Sequence, residues 1–150
     1  MENSLTVRKI RKDELPELLA LYRHLNSDDM ELVIDADVER LWGQICEDPQ
    51  LHYLVADVDG KMVSTCTLAI IRNLTCGGKP YGLIENVVTH PDFRKRGLGT
   101  RVLHAALEIA WEADCYKVML LTGRKDPATL QFYERAGFES GVKTGFVAWR

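Results

Sequence analysis

The feature that most constrains the fold of this chain is a basic, glycine-containing turn between a predicted strand and a long predicted helix. The turn reads Arg94-Lys95-Arg96-Gly97-Leu98-Gly99-Thr100. Apolar residues in Tyr81 to Thr89 predict a strand before it, which Pro91 ends. After it, Gly97 to Ala113 shows the three- and four-residue apolar spacing of an amphipathic helix. Strand, turn and helix in this order indicate a sheet with helices packed against it.

The first half of the chain predicts a short strand, two helices and a hairpin. Asp13 is expected to cap the first helix, whose apolar face runs to Leu25 before Asn26-Ser27-Asp28-Asp29 breaks the pattern. Asp59-Gly60 is a strong hairpin signal between two strands, and Cys76 to Pro80 forms a further turn. The predicted strands are Leu5 to Ile10, Leu51 to Val58 and Met62 to Ile71, and the second helix is Ala36 to Cys46.

The last third of the chain predicts a strand, a helix and a final strand. Tyr116 to Thr122 is nearly continuously apolar, as expected for a strand at the centre of a sheet. Asp126 and Pro127 have the residue types of an N-cap and a first helical position, and Gly137 has that of a left-handed helix stop. Val142 to Trp149 is predicted as the final strand.

Length and composition limit the class of protein. The 150 residues fit one domain, 1–150, of the α/β (α+β) class, with a mixed, mostly antiparallel central sheet flanked by helices. Lys and Arg number 19 against 22 Asp and Glu, so the net charge of −3 predicts no nucleic-acid partner. No apolar run approaches the roughly 18 residues of a membrane span, which predicts no membrane partner.

Compartment and metal content are predicted from the N-terminus and the cysteines. Met1-Glu2-Asn3-Ser4 lacks the basic start and apolar stretch of a signal peptide, so we expect a cytoplasmic protein. None of the four cysteines forms a Cys-x-x-Cys pair, so we expect reduced thiols, no disulfide framework and no metal site. The cysteines are Cys46, Cys66, Cys76 and Cys115.

The basic turn has the residues of a diphosphate cradle. Glycines let the backbone approach a ligand closely, and the start of a helix offers unpaired N–H groups and a positive dipole end. An ordinary glycine turn with solvated basic residues is the alternative. A dinucleotide fingerprint would need a third glycine where Val102 stands, and a P-loop would need Gly-Lys-Ser/Thr after four spacer residues.

Two motifs resemble one known family. Arg94-x-x-Gly97-x-Gly99, directly after Ile84-Glu85-Asn86-Val87-Val88-Thr89-His90-Pro91, resembles the acetyl-CoA motif of the GNAT superfamily of N-acetyltransferases. Residues 126–138, which end in Phe132-Tyr133-x-x-x-Gly137-Phe138, resemble the family's C-terminal signature. The two motifs lie at the family's usual separation, and the order of predicted elements is similar over the whole chain.

The resemblance implies how acetyl-CoA would bind as a co-substrate. Backbone amides of the turn would hold the pyrophosphate, and the end of the preceding strand would part from its neighbour to hydrogen-bond the pantetheine arm. An amide of that strand would polarise the thioester carbonyl, and an amine would attack it directly. The implied cofactor-binding residues are Val87, Val88, Thr89, Arg94, Lys95, Arg96, Gly97, Leu98, Gly99, Thr100, Asp126 and Tyr133.

The resemblance also implies two catalytic residues. Glu85 would take the proton of the attacking amine, or would merely bind a cationic substrate together with Asn86. Tyr133, with a reference pKa of about 10, would donate to the leaving thiolate, or would be an aromatic residue that only packs. Asp126 stands where the family often has Asn, and an ionised Asp cannot donate a hydrogen bond, which leaves its cofactor contact open.

The acceptor is a small-molecule amine that the sequence does not name. Acidic residues around Asn26 to Glu31, with Asp35 and Asp37, suit a polycationic amine or are solvated helix caps. Cys115-Tyr116-Lys117-Val118 and the compact length resemble the glucosamine-6-phosphate N-acetyltransferase branch, and aminoglycosides and amino acids stay open. A sugar phosphate would need basic residues, for which Arg72, Lys79, Arg124, Lys125 and Lys143 are available.

Two further expectations concern the protein as a whole. A non-catalytic acetyl-CoA-binding sensor or partner module is the alternative to an enzyme, although the presence of Glu85 and Tyr133 argues against it. The apolar end Gly145-Phe146-Val147-Ala148-Trp149 would leave an exposed strand edge on a lone monomer. Because such edges are usually covered or paired, we expect a homodimer.

Overall fold

A mixed five-stranded sheet forms the centre of the computed structural model, which describes residues 4–26 and 28–150. The first four strands are antiparallel neighbours in chain order, and the fifth runs parallel to the fourth. The predicted mixed, mostly antiparallel sheet is confirmed. The strands are Leu5–Lys9 (β1), Leu51–Val58 (β2), Lys61–Ile71 (β3), Tyr81–Thr89 (β4) and Val118–Leu120 (β5).

Helices cover both faces of the sheet. The first two pack with one cluster of buried residues, which includes Leu18, Trp42 and Val55. The third and fourth pack with a larger cluster on the opposite face, which includes Leu68 and Val102. We call these the α1 face and the α3 face. The helices are Leu15–Tyr22 (α1), Ala36–Glu47 (α2), Leu98–Glu112 (α3) and Pro127–Arg135 (α4).

The start of the first helix differs from the prediction. Asp13 lies inside a short 3-10 turn, Lys12–Glu14, and Glu14 rather than Asp13 is the N-cap of α1. The Glu14 carboxylate is held by Arg8 at 2.7 and 2.9 Å and by the Arg11 amide at 2.7 Å, and it is only 8% exposed. This buried ion pair joins β1 to the 3-10 turn six residues later and fixes the chain before the helix, a contact between two elements that the apolar spacing does not predict.

The first helix is also shorter than predicted. It ends at Tyr22, and Arg23 to Leu25 form a turn instead of a last helical turn. Ser27, part of the predicted break, lies outside the described residues.

Three of the predicted turns and caps are confirmed. Asp59 and Gly60 both have positive φ, 52° and 83°, as the hairpin turn requires. The Asp126 carboxylate accepts a hydrogen bond from the Thr129 amide at 3.0 Å and so caps α4. Gly137, with φ 103°, follows Ala136, the C-cap of that helix.

The predicted final strand is wrong. Val142 to Trp149 has no regular secondary structure, and Phe146 and Trp149 are 89% and 90% exposed. β5 is also shorter than the predicted Tyr116 to Thr122, since its ladder covers Val118–Leu120 alone. An apolar, β-prone sequence becomes a strand only where a neighbouring strand offers a ladder, and a three-residue edge strand offers little.

Within the part of the chain that the structure describes, no helix combines the length and the apolar character needed to cross a membrane.

Candidate active site

β4 changes its neighbours halfway along. Its first half pairs with β3 on one side and, over Gly82 to Ile84, with β5 on the other. From Glu85 onward it pairs with β3 alone. Asn86 has φ 53°, and the register with β3 shifts between Thr65 and Thr67, which is a β-bulge. The predicted parting of the strand end from its neighbour is confirmed, since the ladder between β4 and β5 ends at Ile84, and we call the unpaired side of residues 85–89 the gap.

The open edge of β4 presents backbone donors to this gap. The His90 amide donates to the Val63 carbonyl at 2.7 Å, so it points toward β3. Because successive amides alternate between the two edges of a strand, the N–H groups of Thr89 and Val87 point into the gap. An extended ligand arm could therefore bind here as an added strand, as the resemblance implied.

The basic turn lies at the end of this gap. Lys95 and Gly97 have positive φ, 61° and 76°, and Gly97 is the N-cap of α3, with no side chain of the described residues capping it. Left-handed residues in such a turn make successive amides converge into an anion-binding nest. The backbone therefore has the form of the predicted diphosphate cradle.

The two glycines of the turn have different roles. A Cβ on Gly97 would meet nothing within 4 Å, so its backbone conformation requires glycine. A Cβ on Gly99 would lie 2.9 Å from Phe132 Cζ and 3.4 Å from Thr89 Oγ1. Gly99 therefore lets α3, α4 and the end of β4 approach one another closely.

The predicted cofactor-binding residues divide into side chains that face solvent and side chains that are buried. Arg94, Lys95 and Arg96 are exposed, and Arg94 Nε donates to the Thr89 carbonyl at 3.1 Å. Val88 and Leu98 are 5% and 4% exposed. They can therefore offer a ligand little besides their backbone groups.

Glu85 lies in the part of β4 that borders the gap, and Tyr133 lies on α4 near enough for its pKa to be affected by Glu85. Glu85 is exposed on β4 directly before the bulge, so any desolvation of its carboxylate has to be supplied by substrates. Tyr133 is half-buried on α4, with its ring 4.9 Å from Phe132 and 6.4 Å from Phe138. Burial raises the pKa of Tyr133, and the nearby Cys66 and Glu85 add to the rise, so its hydroxyl is a donor at neutral pH.

The Asp126 carboxylate is already hydrogen-bonded to other residues of the protein. Its Oδ1 accepts from Arg124 Nε at 2.9 Å, and its Oδ2 accepts from the Thr129 hydroxyl at 2.8 Å as well as from the Thr129 amide. These hydrogen bonds, those from Thr129 first, lower the pKa of Asp126 to about 2. Asp126 is thus a charged helix cap, and it shapes the start of α4 beside the gap.

The acidic residues around the first loop serve local roles. Asp35 accepts from the Val38 amide at 2.9 Å and caps α2, Asp37 pairs with Arg40, and Glu31 pairs with Arg23. This arrangement agrees with the alternative that they are solvated helix caps and ion pairs.

The candidate basic residues for a sugar phosphate are not gathered in one place. Lys79 pairs with Asp114, and Arg124 pairs with Asp126. Of the five candidates, Lys143 alone lines a cleft of about 600 Å³ that is bordered by β5, α3, α4 and the C-terminal segment. That cleft also contains Tyr133. Among the described residues, no group of three His, Cys, Asp or Glu is placed to hold a metal ion.

A polar group on the α1 face gives no signal in the sequence. Tyr22 was part of the apolar face of the first helix, and Thr67 and Tyr53 were ordinary strand residues. In the folded chain Thr67 pairs with Tyr53 on one side and with Glu85 on the other. No local signal could have found this group, because its members come from three separate segments.

Comparison with known proteins agrees with this geometry. The chain is 32% identical over 144 residues to the glucosamine 6-phosphate N-acetyltransferase of Trypanosoma brucei brucei, covering 91% of this chain and 90% of that one. A solved structure from Agrobacterium tumefaciens str. C58, provisionally assigned as an acetyltransferase, superimposes with a TM-score of 0.91 at 45% identity and covers 97% and 99% of the two chains.

A third protein shares the fold at lower identity. The glucosamine-6-phosphate N-acetyltransferase of Arabidopsis thaliana superimposes with a TM-score of 0.84 at 22% identity, covering 98% of each chain.

Fold, cleft and relatives together define an acyltransferase enzyme of the N-acetyltransferase class. The sequence model of the acetyltransferase (GNAT) family matches residues 18–138, which is most of the chain. The chain belongs to this family.

Proposed function

We propose that the protein transfers the acetyl group of acetyl-CoA to a primary amine of a small molecule. The observation that carries the proposal is the parting of β4 from β5 after Ile84, directly beside the left-handed turn at the start of α3. A thioester with a long amide-containing arm and a diphosphate fits both features. The arm accepts a hydrogen bond from the open N–H group of Thr89, the thioester carbonyl accepts one from that of Val87, and the diphosphate binds the converging amides of Arg94 to Thr100.

In the proposed reaction, Glu85 and Tyr133 carry out the two proton transfers. Glu85 accepts the proton that the attacking amine loses, and Asn86 helps to hold the acceptor. The N–H of Val87 stabilises the oxyanion, as a fixed backbone donor does in other acyl transfers. Tyr133 gives its proton to the CoA sulfur as the carbon–sulfur bond breaks, and it regains one from solvent afterwards.

Glucosamine 6-phosphate is the first acceptor that we propose to test. The Trypanosoma brucei brucei relative carries that activity in its name and aligns over nine-tenths of both chains. Lys143, on the rim of the cleft that contains Tyr133, is a cation available to its phosphate. An aminoglycoside, an amino acid and a polyamine are the competing acceptors.

The test is release of free CoA thiol from acetyl-CoA with each amine in turn. We expect turnover with glucosamine 6-phosphate above the amine-free rate, and Tyr133→Phe serves as the matched control that keeps the ring. Thiol release with a different amine alone would correct the acceptor and keep the reaction. Tight acetyl-CoA binding with no turnover on any amine would contradict the enzyme and favour the sensor or partner module.

We also propose that the protein is a homodimer. The C-terminal segment exposes Val142, Phe146, Val147 and Trp149, and the edge of β5 next to it has no strand partner among the described residues. Monomeric proteins seldom expose so many large apolar side chains together, so a second copy that covers them accounts for both features. Light scattering at micromolar concentration should give twice 17.0 kDa, and a mass near 17.0 kDa would contradict the dimer.

The cytoplasm is the compartment that we propose. Cys46 and Cys76 are exposed free thiols, which an oxidising compartment would tend to convert to disulfides. Fractionation of the source cells would test this assignment, and recovery of the protein outside the cytoplasm would contradict it.

A further inference from the structure

The chain enters the basic turn through a short 3-10 turn, Pro91–Phe93, that a histidine caps. The Asp92 amide donates to Nδ1 of His90 at 3.2 Å, and the Phe93 amide donates to the His90 carbonyl at 2.9 Å. Arg94, the first residue of the basic turn, follows directly. Ser, Thr, Asp and Asn are the usual capping residues, so a histidine here makes the cap titratable.

The backbone of His90 is held as well as its side chain. Its amide donates to the Val63 carbonyl on β3 at 2.7 Å, so the residue stays attached to the sheet although β4 has ended at Thr89. The Thr89 carbonyl in turn accepts from Arg94 Nε at 3.1 Å. β3, the end of β4 and the basic turn therefore meet at His90, and a change in its imidazole acts on a backbone that is otherwise fixed.

The capping hydrogen bond assigns the protonation state of the imidazole. A ring nitrogen that accepts from an amide carries no proton, so the proton of neutral His90 lies on Nε2. Burial lowers the pKa of His90, and the neighbouring Lys61 and His24 lower it further. Arg94 acts in the same direction, whereas the Asp92 carboxylate, 3.9 Å from Nδ1, opposes the shift. The neutral ring that the cap requires is therefore the form present at neutral pH.

Groups from α1 and from the start of β3 also face this imidazole. The ring of His24, just beyond the end of α1, meets it edge-on with 4.7 Å between the ring centroids. His24, Lys61 and Glu17 line a cleft of about 340 Å³ together with the imidazole. Lys61 thus opposes a proton on the ring, and the carboxylates of Glu17 and Asp92 carry the charge that would favour one.

We propose that His90 is a positioning residue for the co-substrate, because its neutral imidazole accepts from the Asp92 amide and so holds the 3-10 turn in the form that lets the amides of the basic turn converge on the diphosphate. Protonation of Nδ1 replaces the acceptor by a donor that repels the Asp92 N–H. The turn then loses its cap, and acetyl-CoA binds less tightly. This role rests on the proposed acetyl-CoA site, and no step of the acetyl transfer involves the imidazole.

Titration calorimetry with acetyl-CoA at about pH 7.5 tests the cap directly. His90→Leu removes the acceptor and should weaken binding by about tenfold, within the range for loss of an N-cap. His90→Asn keeps a side-chain acceptor at a position that Asn caps well, and it should restore affinity to within about twofold of the wild type. Wild-type affinity in His90→Leu would overturn the proposal.

Asp92→Asn is the matched control at the neighbouring residue. It keeps the amide that donates to His90 and removes only an exposed carboxylate. Its affinity for acetyl-CoA at about pH 7.5 should therefore stay within about twofold of the wild type. A tenfold loss in this variant would assign the effect to the carboxylate and overturn the role of the cap.

The pH dependence of binding separates an imidazole that caps from one that attracts the ligand as a cation. Because protonation removes the acceptor, wild-type affinity should fall by about threefold relative to His90→Asn between about pH 7.5 and about pH 5. The phosphate groups of acetyl-CoA titrate equally in both measurements, so the comparison cancels their effect. A ratio that stays constant or rises would overturn the proposal, since protonated His90 would then bind the diphosphate as well or better.

A measurement on the free wild-type protein tests the cap without ligand and without His90→Leu, whose folding it does not need. Nitrogen chemical shifts should show an unprotonated Nδ1 and a protonated Nε2 on His90 at about pH 7.5. The titration midpoint should lie below about 6.5, and His24→Gln should raise it by removing one neighbouring charge. A neutral ring with its proton on Nδ1 would overturn the proposal, because that nitrogen could not accept from Asp92.

The outcomes keep this inference apart from the proposed function. If the wild-type protein binds acetyl-CoA and His90→Leu binds it equally well, the role of His90 is wrong and the acetyl-CoA site stands. If the wild-type protein binds no acetyl-CoA, the proposed function and the role of His90 in binding are both wrong.

Discussion

The two halves of β4 belong to one strand but have different neighbours. Around Gly82 the strand is enclosed, since a Cβ there would lie 3.0 Å from Leu68 Cδ1 and 3.1 Å from Val118 Cγ2. Beyond the bulge at Asn86, the side facing away from β3 is open. One strand therefore anchors the sheet with its first half and offers hydrogen-bond donors to a ligand with its second.

The difference shows how a small backbone irregularity creates a site. If β5 continued alongside β4, the N–H groups of Val87 and Thr89 would be hydrogen-bonded to β5 within the sheet. The left-handed Asn86, a residue type that tolerates this conformation better than most, turns the strand away from its neighbour. We call residues 81–84 of β4 the closed half and residues 85–89 the open half. Changes in the open half should therefore affect ligand binding and turnover, and changes in the closed half should affect stability.

The largest effect is expected at the turn that ends the open half. Gly97→Val places a β-branched residue at φ 76°, a conformation that such a residue disfavours. The turn should therefore change its backbone conformation and its amides should no longer converge, so acetyl-CoA affinity should fall by about 100-fold or more. Titration calorimetry measures it. Gly77→Val is the matched control, because Gly77 has φ 71° and open space around it but lies far from the turn in sequence. Equal affinity loss in both variants would contradict a specific role for Gly97.

Tyr133 should affect turnover without affecting binding. Tyr133→Phe keeps the packing against Phe132 and Phe138 and removes only the donor, so kcat should fall by about 100-fold, in the range of general acid catalysis. The acetyl-CoA dissociation constant should change little. Tyr81→Phe, in the closed half of β4, is the control and should keep wild-type kcat. If Tyr133→Phe turns over normally at pH 7, then water is the proton donor.

Glu14 tests stability far from the open half. The hydrogen bonds that the Glu14 carboxylate accepts, those from Arg8 first, lower the pKa of Glu14 from 4.5 to about 2. A lowered pKa means that the pair stabilises the fold above about pH 4.5 and that this contribution is lost as the pH falls from 4.5 to about 2. Glu14→Gln should cost about 3 kcal/mol at pH 7 and flatten that pH dependence.

Urea unfolding across that pH range measures the effect of Glu14→Gln. Asp13→Asn, at an exposed neighbouring residue, is the control and should change stability by less than about 0.5 kcal/mol. An unchanged pH dependence in Glu14→Gln would show that the pair contributes nothing in solution.

The smallest effect is expected in the closed half of β4. Gly82→Ala adds a Cβ that Leu68 and Val118 must move to accommodate, so it should destabilise the fold by about 1–2 kcal/mol. Acetyl-CoA affinity should stay within about twofold, because the open half is untouched. If the free energy of acetyl-CoA binding fell by more than the free energy of unfolding, the two halves of β4 would not act separately.

The closed half of β4 and the helices, apart from the two ends of α1, could be predicted from the sequence because their signals are local. Apolar spacing, the Asp59-Gly60 turn and the Asp126 cap each depend on a few consecutive residues. The turn from Arg94 to Thr100 was predicted for the same reason, since the conformational freedom of glycine at Gly97 is visible in the sequence itself.

The rest of the structure depends on contacts between different secondary-structure elements. The final strand was predicted from apolar residues alone, but Val142 to Trp149 has no ladder partner among the described residues. Glu14 replaces Asp13 as the helix cap because Arg8 on β1 binds it. The grouping of Tyr22, Thr67 and Glu85 arises only when α1, β3 and β4 come together, so no spacing along the chain reveals it.

Amide hydrogen exchange along β4, with and without acetyl-CoA, tests the central claim most directly. The account predicts that saturating acetyl-CoA slows exchange at Val87 and Thr89 and across the turn from Arg94 to Thr100, and leaves Gly82 to Ile84 unchanged, since those amides are already enclosed. Unchanged exchange at Val87 and Thr89 in the saturated protein would contradict it, because the open edge of β4 would then not be where the co-substrate binds.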